Sequence, residues 1–409
     1  MNILVVTQYF WPEDFRINDM AAGLVEKGHR VTVLTGIPNY PAGRFFPGYG
    51  IFKNSRQTYC GVDIVRVPLV PRGKGSKIRL FFNYLSFSLL AAIMAPFLIR
   101  GNFDLIFVYE PSPITVGLPA ILLKKMKSAP LLFWVQDLWP ESLSATGAVR
   151  SSMILKFVNK LVCFIYRRCD LILVQSRGFI SSVQSFGVDI SRIIYFPNSA
   201  EGFYRPVERS ADLEERKAIP QGFIVMFAGN IGNAQDFDTI ISAAEKIKDH
   251  KDIYWVIIGD GRERIRAEKE ITMRKLNSNF LFLGRHPAEK MPNYFALADA
   301  LLVTLKNEDI FKLTVPSKLQ SYLASARPVI ASLSGEGARI VEESGAGVTC
   351  QPEDPDALAR SVLKVYHMQD GDRRAMGLKG REYFMNNFER DILLGQLEKI
   401  IKDVRGGTA

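Results

Sequence analysis

Lys318 stands beside Pro316 and Ser317 at the start of residues 315–326, an amphipathic stretch that reads as a helix with Leu319, Tyr322, Leu323 and Ala326 on one face. Proline suits a first helical turn, and the Ser317 hydroxyl can cap it. A helix start carries roughly half a positive charge and several free N–H groups, so with a lysine beside it a phosphate is the expected ligand. The competing possibility is an ordinary crossover helix with a solvent-facing lysine. Three glycine turns share this chemistry. The apolar run 223–227 leads into Gly229-Asn230-Ile231-Gly232-Asn233 and a helix from about residue 236. Gly229 and Gly232 would let backbone N–H groups approach a diphosphate there. Gly259-Asp260-Gly261-Arg262 and Gly284-Arg285-His286 follow two further apolar runs, each with a basic side chain at a strand's carboxyl end. Each turn is common by itself; four such features at the strand ends of one domain point to an anion.

No metal site emerges beside them. Asp236-Phe237-Asp238 and Asp354-Pro355-Asp356 have DxD spacing, but both lie at expected helix starts, where aspartates cap and complement the dipole. Cys60, Cys163, Cys169 and Cys350 show neither CxxC nor zinc spacing, which fits a reducing compartment without disulfides. Of the histidines, only His286 falls near the anion features. His29 precedes a strand, and His250 and His367 read as surface residues.

The elements that must hold these residues alternate between strand and helix in two series. Apolar runs at 3–7, 31–35, 64–67, 105–110, 131–137, 171–175 and 193–196 read as buried strands, with helices at 17–27, 115–125 and 153–168. The second series comprises 223–227, 255–259, 280–283, 301–304, 329–331 and 347–349, with helices such as 237–247 in the gaps. The polar, turn-rich segment 197–210 reads as a linker. The expected fold is α/β: two tandem Rossmann-like domains, 1–200 and 206–385, facing a cleft. C-terminal helices complete it, with a helix and tail over 386–409 that can pack back on the first domain. The long aromatic loop 8–18, QYFWPEDFRIN, lies at the carboxyl end of the first strand, where open α/β sheets bind ligands. It lacks the GxGxxG of a dinucleotide site.

A chain of 409 residues exceeds one typical core, and 47% hydrophobic with 23% charged residues is ordinary for a soluble enzyme. A net charge of +10 is not ordinary and favours an anionic partner: a phosphorylated substrate, anionic lipid or nucleic acid. Nucleic acid is disfavoured, because the basic residues flank an apolar segment and no recognition motif is present. That segment, residues 80–99, is uncharged and about long enough to cross a ~30 Å hydrocarbon core. A crossing would separate strand 105–110 from strand 3–7, with which it should pair, and Asn83 and Pro96 weaken a spanning helix. Arg66, Arg72, Lys74, Lys77 and Arg79 precede it and Arg100 follows, so residues 72–100 read as a crossover helix lying on an anionic membrane surface. A fully buried helix with a solvated basic flank is the alternative. Met1-Asn2 runs straight into a strand, so no signal peptide is expected and a cytoplasmic location fits.

The stretches KGHRVTVLT, FAGNIG, VIIGDG, FLGRHP and VPSKL..YLASARPVIA, set in two Rossmann-like domains, resemble the retaining glycosyltransferases of fold type GT-B, family four, over essentially the whole chain. WVQDLWPES and GNIGNAQDFDT are similar to bacterial O-antigen and capsule sugar transferases, in particular those for N-acetyl-L-fucosamine. The resemblance implies a UDP-sugar donor held by the second domain through Gly229, Asn230, Gly232, Gln235, Arg262, Arg285, Ser317, Lys318 and Ser321, with no cofactor and no metal. It also exposes departures. An arginine and a lysine of the family correspond to Asn230 and Gln235, and two glutamates eight apart correspond to Leu313 and Ser321. The family's first-domain histidine corresponds to Gln136, beside Asp137. Charge compensation then falls on Lys318, Arg285 and Arg262, while Glu308 or Asp309 could supply a carboxylate from the preceding loop. Retention in this family is explained by front-face displacement, in which the leaving diphosphate helps deprotonate the acceptor. That needs positioning and electrostatics rather than an enzymic nucleophile. Lys318 would stabilise the diphosphate, and Asp137 and Gln136 would orient sugar hydroxyls; a mere helix cap is the alternative for Asp137.

The expected function is transfer of a sugar, best matched by N-acetyl-L-fucosamine, from UDP to a polyprenyl-diphosphate-linked saccharide in O-antigen or capsule synthesis. The enzyme would be peripheral on the inner face of the bacterial cytoplasmic membrane. Trp11, Arg16, Asn18 and Glu110 are the candidate acceptor contacts, and the aromatic run 9–11 could face that acceptor. A UDP-sugar 2-epimerase shares the fold but needs acid–base residues flanking the sugar carbon, which a lone His286 supplies poorly. A catalytically silent membrane scaffold is the rival of another class, drawing on the missing carboxylates and histidine.

Overall fold

Apolar runs too short for helices, and buried on both faces, become the strands of two sheets in a computed structural model that describes residues 1–406 except 52, 74, 75, 146–148, 150 and 211. Lys74 of the basic flank and the tail beyond residue 406 therefore lie outside the described residues. The chain forms two compact units, Met1–Pro197 with Asp391–Ala409, and Asn198–Arg390.

The first unit holds β1 (Asn2–Val6), β2 (Arg30–Gly36), β3 (Arg56–Tyr59), β4 (Val62–Val67), β5 (Leu105–Glu110), β6 (Leu131–Val135), β7 (Leu171–Val174) and β8 (Ile193–Tyr195). Their order is β3-β4-β2-β1-β5-β6-β7-β8, parallel except for the β3/β4 pair. β3, RQTY, is an exposed edge strand without an apolar alternation, and the sequence reading had no strand there. Ile3, Val5, Phe107 and Trp134 face one way, into a core shared with the helix Arg16–Glu26 and with Leu393, Leu394, Leu397 and Ile401 of the C-terminal helix Arg390–Gly406. The opposite face carries the crossover helices Gly117–Lys127 and Ser152–Tyr166. There Phe133 meets Tyr166 edge-on at 5.9 Å, and a Cβ on Gly117 would lie 2.6 Å from Ile165.

The apolar segment forms the helix Lys77–Leu98, capped by Ser76, whose side chain accepts from Arg79 N. By length and composition it could span a membrane. β4 and β5, which precede and follow it, lie in the same sheet, so both ends of the helix stay on one side. It packs against Gly117–Lys127, buries Asn83, Phe87, Ser88, Ala91 and Ala95, and leaves most of its large side chains in solvent. A fully buried helix is thereby ruled out.

The second unit holds β9 (Phe223–Ala228), β10 (Ile253–Ile258), β11 (Phe280–Gly284), β12 (Ala300–Thr304), β13 (Val329–Ser332) and β14 (Gly347–Cys350). The order β11-β10-β9-β12-β13-β14 is parallel throughout, so strand succession reverses between β9 and β12. The helix carrying Lys318 is shorter than its sequence pattern suggests, Lys318–Ala324, because Ala326 turns left-handed (φ 54). Leu319, Tyr322 and Leu323 are fully buried, as their spacing requires.

Candidate active site

The Tyr322 hydroxyl accepts from Ala228 N at 2.9 Å and reaches Ala228 O at 3.3 Å, which fixes the Lys318 helix to the end of β9. Lys318 thus starts its helix at the β9/β12 reversal, the place where open α/β sheets take ligands. Its Nζ donates to Gln235 Oε1 at 2.7 Å and lies 3.8 Å from the centroid of the Phe227 ring. Gly229 (φ +145) leaves the room for this, since a Cβ there would meet Nζ at 3.2 Å and Cε at 3.4 Å. Burial pulls the ammonium down to about 7; the Gln235 oxygen and the ring face favour its charged form but do not restore it. A cation held this way gains most from an arriving dianion.

The loop behind it is secured from β12. Thr304 Oγ1 donates to Gln235 O at 2.5 Å, Lys306 N to Ala234 O at 3.0 Å, and Lys306 Nζ to Asn233 Oδ1 at 2.8 Å. Lys306 is a second cation at this site that the sequence reading missed, although its place just after a buried strand at the switch point was available as a signal.

The glycine turns join strand ends, and the Gly229 amide is taken up in this way. Gly229 N donates to Ile258 O at 2.8 Å, Ile231 N to Asp260 O at 3.0 Å and Gly259 N to Gly284 O at 2.7 Å, so the three strand ends are stitched together. A Cβ on Gly259 would lie 1.9 Å from Gly229 O, and one on Gly261 2.1 Å from Ile231 O. The Gly229 amide is therefore engaged within the fold and is not offered to a diphosphate. Gly232 O accepts from Gln235 N, and Asn230 is exposed with its amide against Gly232. Ser317 occupies the N-cap position without a side-chain cap hydrogen bond, contrary to expectation, and Ser321 is buried on the same helix. Arg262 and Arg285 stand exposed on neighbouring loops, Arg285 in a loose 3.9 Å ion pair with Asp260. His286 is held by Leu283 O and the Tyr294 hydroxyl, a structural arrangement. The fold gathers Lys318, Gln235 and Gly229, whereas Arg285 pairs with Asp260 on the neighbouring loop.

In the first unit, Glu110 ends β5 and Gln136 follows β6, joined by Gln136 N donating to Glu110 O at 3.1 Å. Burial pushes the Glu110 carboxyl well up, and the Asp137 charge pushes it further. Asp137 itself is raised to about 7 by burial, while Ser142 and Trp139 pull it back and Glu141 opposes them. Burial and the neighbouring charge both work against the two carboxyls ionising together. Asp137 is not a helix cap, since the next helix begins only at Glu141.

The loop 8–18 folds inward more than expected. Tyr9 is 2% exposed and stacks on Phe15 at 5.1 Å, and Phe10 is core, so neither faces an acceptor. Asn18 is also removed from that role: it accepts from Trp11 N at 3.1 Å and donates to Glu13 O at 2.7 Å. Trp11 remains half-buried, stacked on Tyr59 at 4.9 Å, and Arg16 opens the next helix half-exposed. Glu13 is an unforeseen clamp. Its Oε1 accepts from Asn39 N (2.7 Å) and Tyr40 N (2.6 Å), and burial raises it to about 7. Asn83, buried in the apolar helix, accepts from Gln8 Nε2 at 2.7 Å and donates to Val70 O at 2.7 Å, tying helix to loop.

Among the described residues no group of three His, Cys, Asp or Glu could hold a metal ion. Asp354 caps Pro355–Tyr366 through Ala357 N (2.8 Å), Asp356 pairs with Lys246 and Asp238 with Arg266. Asp236 sits at an N-cap position in left-handed backbone (φ 48).

Two family models match the chain: a "glycosyl transferase 4-like domain" over residues 15–199 and "glycosyl transferases group 1" over 209–383. The chain is similar to the "putative colanic acid biosynthesis glycosyl transferase WcaI" of Escherichia coli (strain K12), 24% identical over 99% of this chain and 100% of that one. It is also similar to the "probable glycosyltransferase WbjE" of Pseudomonas aeruginosa, 29% identical over 66% of this chain and 67% of that one. Anabaena HepE, solved in complex with UDP, matches with a TM-score of 0.74 at 15% identity, over 98% of this chain and 100% of that one, a likeness of fold. With one model matching each half and two parallel α/β domains in place, the chain belongs to the group 1, family-four-like glycosyltransferases of the GT-B fold, and is an enzyme of that class.

Proposed function

We propose that this glycosyltransferase is a retaining enzyme whose C-terminal domain binds a UDP-sugar and whose N-terminal domain binds a lipid-linked saccharide. The observation that carries the donor side is Lys318: a cation depressed by burial, at the β9/β12 switch point, held by Gln235 and an aromatic face. A leaving diphosphate would raise the affinity of that ammonium for its proton and be stabilised by it in turn. The missing arginine, lysine and glutamates of the family do not remove this stabilisation, and Lys306, bonded from the end of β12 to Asn233 of the β9 loop, offers a second positive charge. No metal is required in such a scheme. On the acceptor side, Asp137 and Gln136 lie at the carboxyl end of β6 beside Glu110, suited to orient a sugar hydroxyl. The diphosphate takes that hydroxyl's proton as the glycosidic bond to UDP breaks, on the face where the new bond forms.

HepE was solved with UDP, and WcaI is named for colanic acid biosynthesis; both support a UDP-sugar and a bacterial surface polysaccharide. The WVQDLWPES and GNIGNAQDFDT stretches favour N-acetyl-L-fucosamine as the sugar. The exposed apolar helix Lys77–Leu98 supports a polyprenyl-diphosphate-linked acceptor, met at the inner face of the cytoplasmic membrane.

Thermal melts with UDP, GDP, ADP and TDP on wild type and Lys318→Ala test the donor assignment. Ligand at a hundredfold excess over Kd adds about 2.7 kcal/mol to the native state. UDP alone should raise the wild-type melt and leave Lys318→Ala nearly unmoved. A flat wild-type panel at millimolar nucleotide sinks the reading.

A further inference from the structure

We propose that the helix Ser152–Tyr166 is a second membrane contact, and that with Lys77–Leu98 it seats the first unit on an anionic bilayer through two parts of one helical layer. The inference deepens the peripheral-membrane reading above and rests on it for its purpose, not for its evidence. Lys77–Leu98 exposes Phe81, Phe82, Leu85, Leu89, Ile93 and Phe97, the last 76% exposed. Ser152–Tyr166 exposes Met153 (79%), Ile154, Phe157 (68%) and Phe164. Monomeric soluble proteins rarely leave so many large apolar side chains uncovered together. On the inner side, Val158, Val162, Ile165 and Tyr166 are buried, so apolar side chains lie both inside and outside this helix, with Lys156, Asn159 and Lys160 exposed between the outer ones. Gly117–Lys127 packs against both helices and so lies between them. Both exposed faces therefore belong to one layer, on the side of the sheet away from the C-terminal helix.

Charge decides what covers this layer. None of the three helices contains an Asp or Glu. Exposed Lys77 and Arg79 open the first, exposed Lys125 lies in the middle one, and exposed Lys156 and Lys160 lie among the apolar residues of the third. A second copy of the chain pressed face to face would set these cations against their own kind. Anionic headgroups match them, while the phenylalanines and isoleucines enter the acyl boundary and the lysine stems reach back to the phosphates.

The full-length protein should co-sediment with vesicles containing phosphatidylglycerol, bind phosphatidylcholine vesicles more weakly, and lose most of the difference at high salt. Met153→Ser/Phe157→Ser and Phe81→Ser/Phe97→Ser should each reduce partitioning onto the anionic vesicles about tenfold or more, with a normal melt and normal UDP stabilisation. Wild-type binding of the Met153→Ser/Phe157→Ser protein, with the Phe81→Ser/Phe97→Ser protein impaired, would overturn the second contact while leaving the first helix as the only anchor. A wild type that ignores vesicles but sediments as a dimer, and becomes monomeric in either variant, would replace the bilayer by a second copy. Because UDP stabilisation is read on the same samples, failure of the donor assignment and failure of the membrane seat give different results.

Discussion

Lys318 makes a prediction that depends on proton count. Its folded pKa of about 7 lies below the usual lysine value, so above pH 7 the free enzyme carries it neutral. A bound diphosphate favours the ammonium, so binding above pH 7 takes up one proton, and UDP itself no longer titrates there. The Kd for UDP should then rise about tenfold per pH unit between pH 7.5 and 9, in calorimetry or melts. Lys318→Arg, charged throughout, should flatten that slope. Asp137 works in the opposite direction. Its folded pKa of about 7 exceeds the usual aspartate value, so the folded state holds a proton that the unfolded chain has lost between about pH 4 and pH 7. Stability from this group is full below pH 4 and falls as pH rises to 7. Asp137→Asn removes the fall: its melting advantage over wild type should grow from pH 5 to pH 7 and then level off, while transfer activity at pH 7.5 drops by about 10-fold or more. A constant difference across pH would mean that Asp137 is not buried in this way.

At the scale of elements, the turn between β10 and its helix is a fitted part. Gly259 needs φ +137, and a Cβ would lie 1.9 Å from Gly229 O, a backbone atom of the loop that frames Lys318. Gly259→Ala should cost about 1–3 kcal/mol from overpacking alone and should weaken UDP binding, because the β9 loop must move. Gly395→Ala is the contrast: it sits in the helix Arg390–Gly406 with nothing within 4 Å, and should gain about 0.5–1 kcal/mol. Equal melts for the two variants would contradict the stitched-turn account. The same turns mark the limit of what the sequence discloses. Strand–turn–helix punctuation was visible at Gly229, Gly259 and Gly284, and so was the parallel sheet built from buried runs such as 105–110 and 223–227. Whether a glycine N–H faces a ligand or a neighbouring strand depends on register, which no local pattern encodes; here it faces Ile258 O. For the same reason Tyr9, Phe10 and Asn18, which could have met an acceptor, turn inward on Phe15, the core and Glu13. β3 escaped because RQTY at a sheet edge has too few apolar residues to show a period.

At the scale of the whole molecule, the chain leaves its first unit near Pro197 and returns to it at Asp391, so the last helix completes a core begun by the first strand. Leu393, Leu394, Leu397 and Ile401 are at most 1% exposed and share that core with Ile3, Leu24 and Val31. Glu398 adds a polar latch, with His29 Nε2 at 2.9 Å from its Oε1 and Lys27 at 3.8 Å, and Arg405 pairs with Asp104 at 2.9 Å. The solvent-accessible Lys27–Glu398 and Arg405–Asp104 pairs contribute little by themselves, whereas each buried leucine truncated to alanine costs about 2–5 kcal/mol. Leu397→Ala should therefore destabilise the first unit selectively. Amide exchange on β1 should speed up by about 30-fold or more, the rate equivalent of the lower bound. Exchange on β9, whose core lies wholly in the second unit, should be unchanged, and so should stabilisation by UDP. Faster exchange on both strands would mean that the two units unfold as one. Unchanged protection on β1 would mean that the returning helix adds nothing to the sheet it covers, which its fully buried leucines make the least expected result.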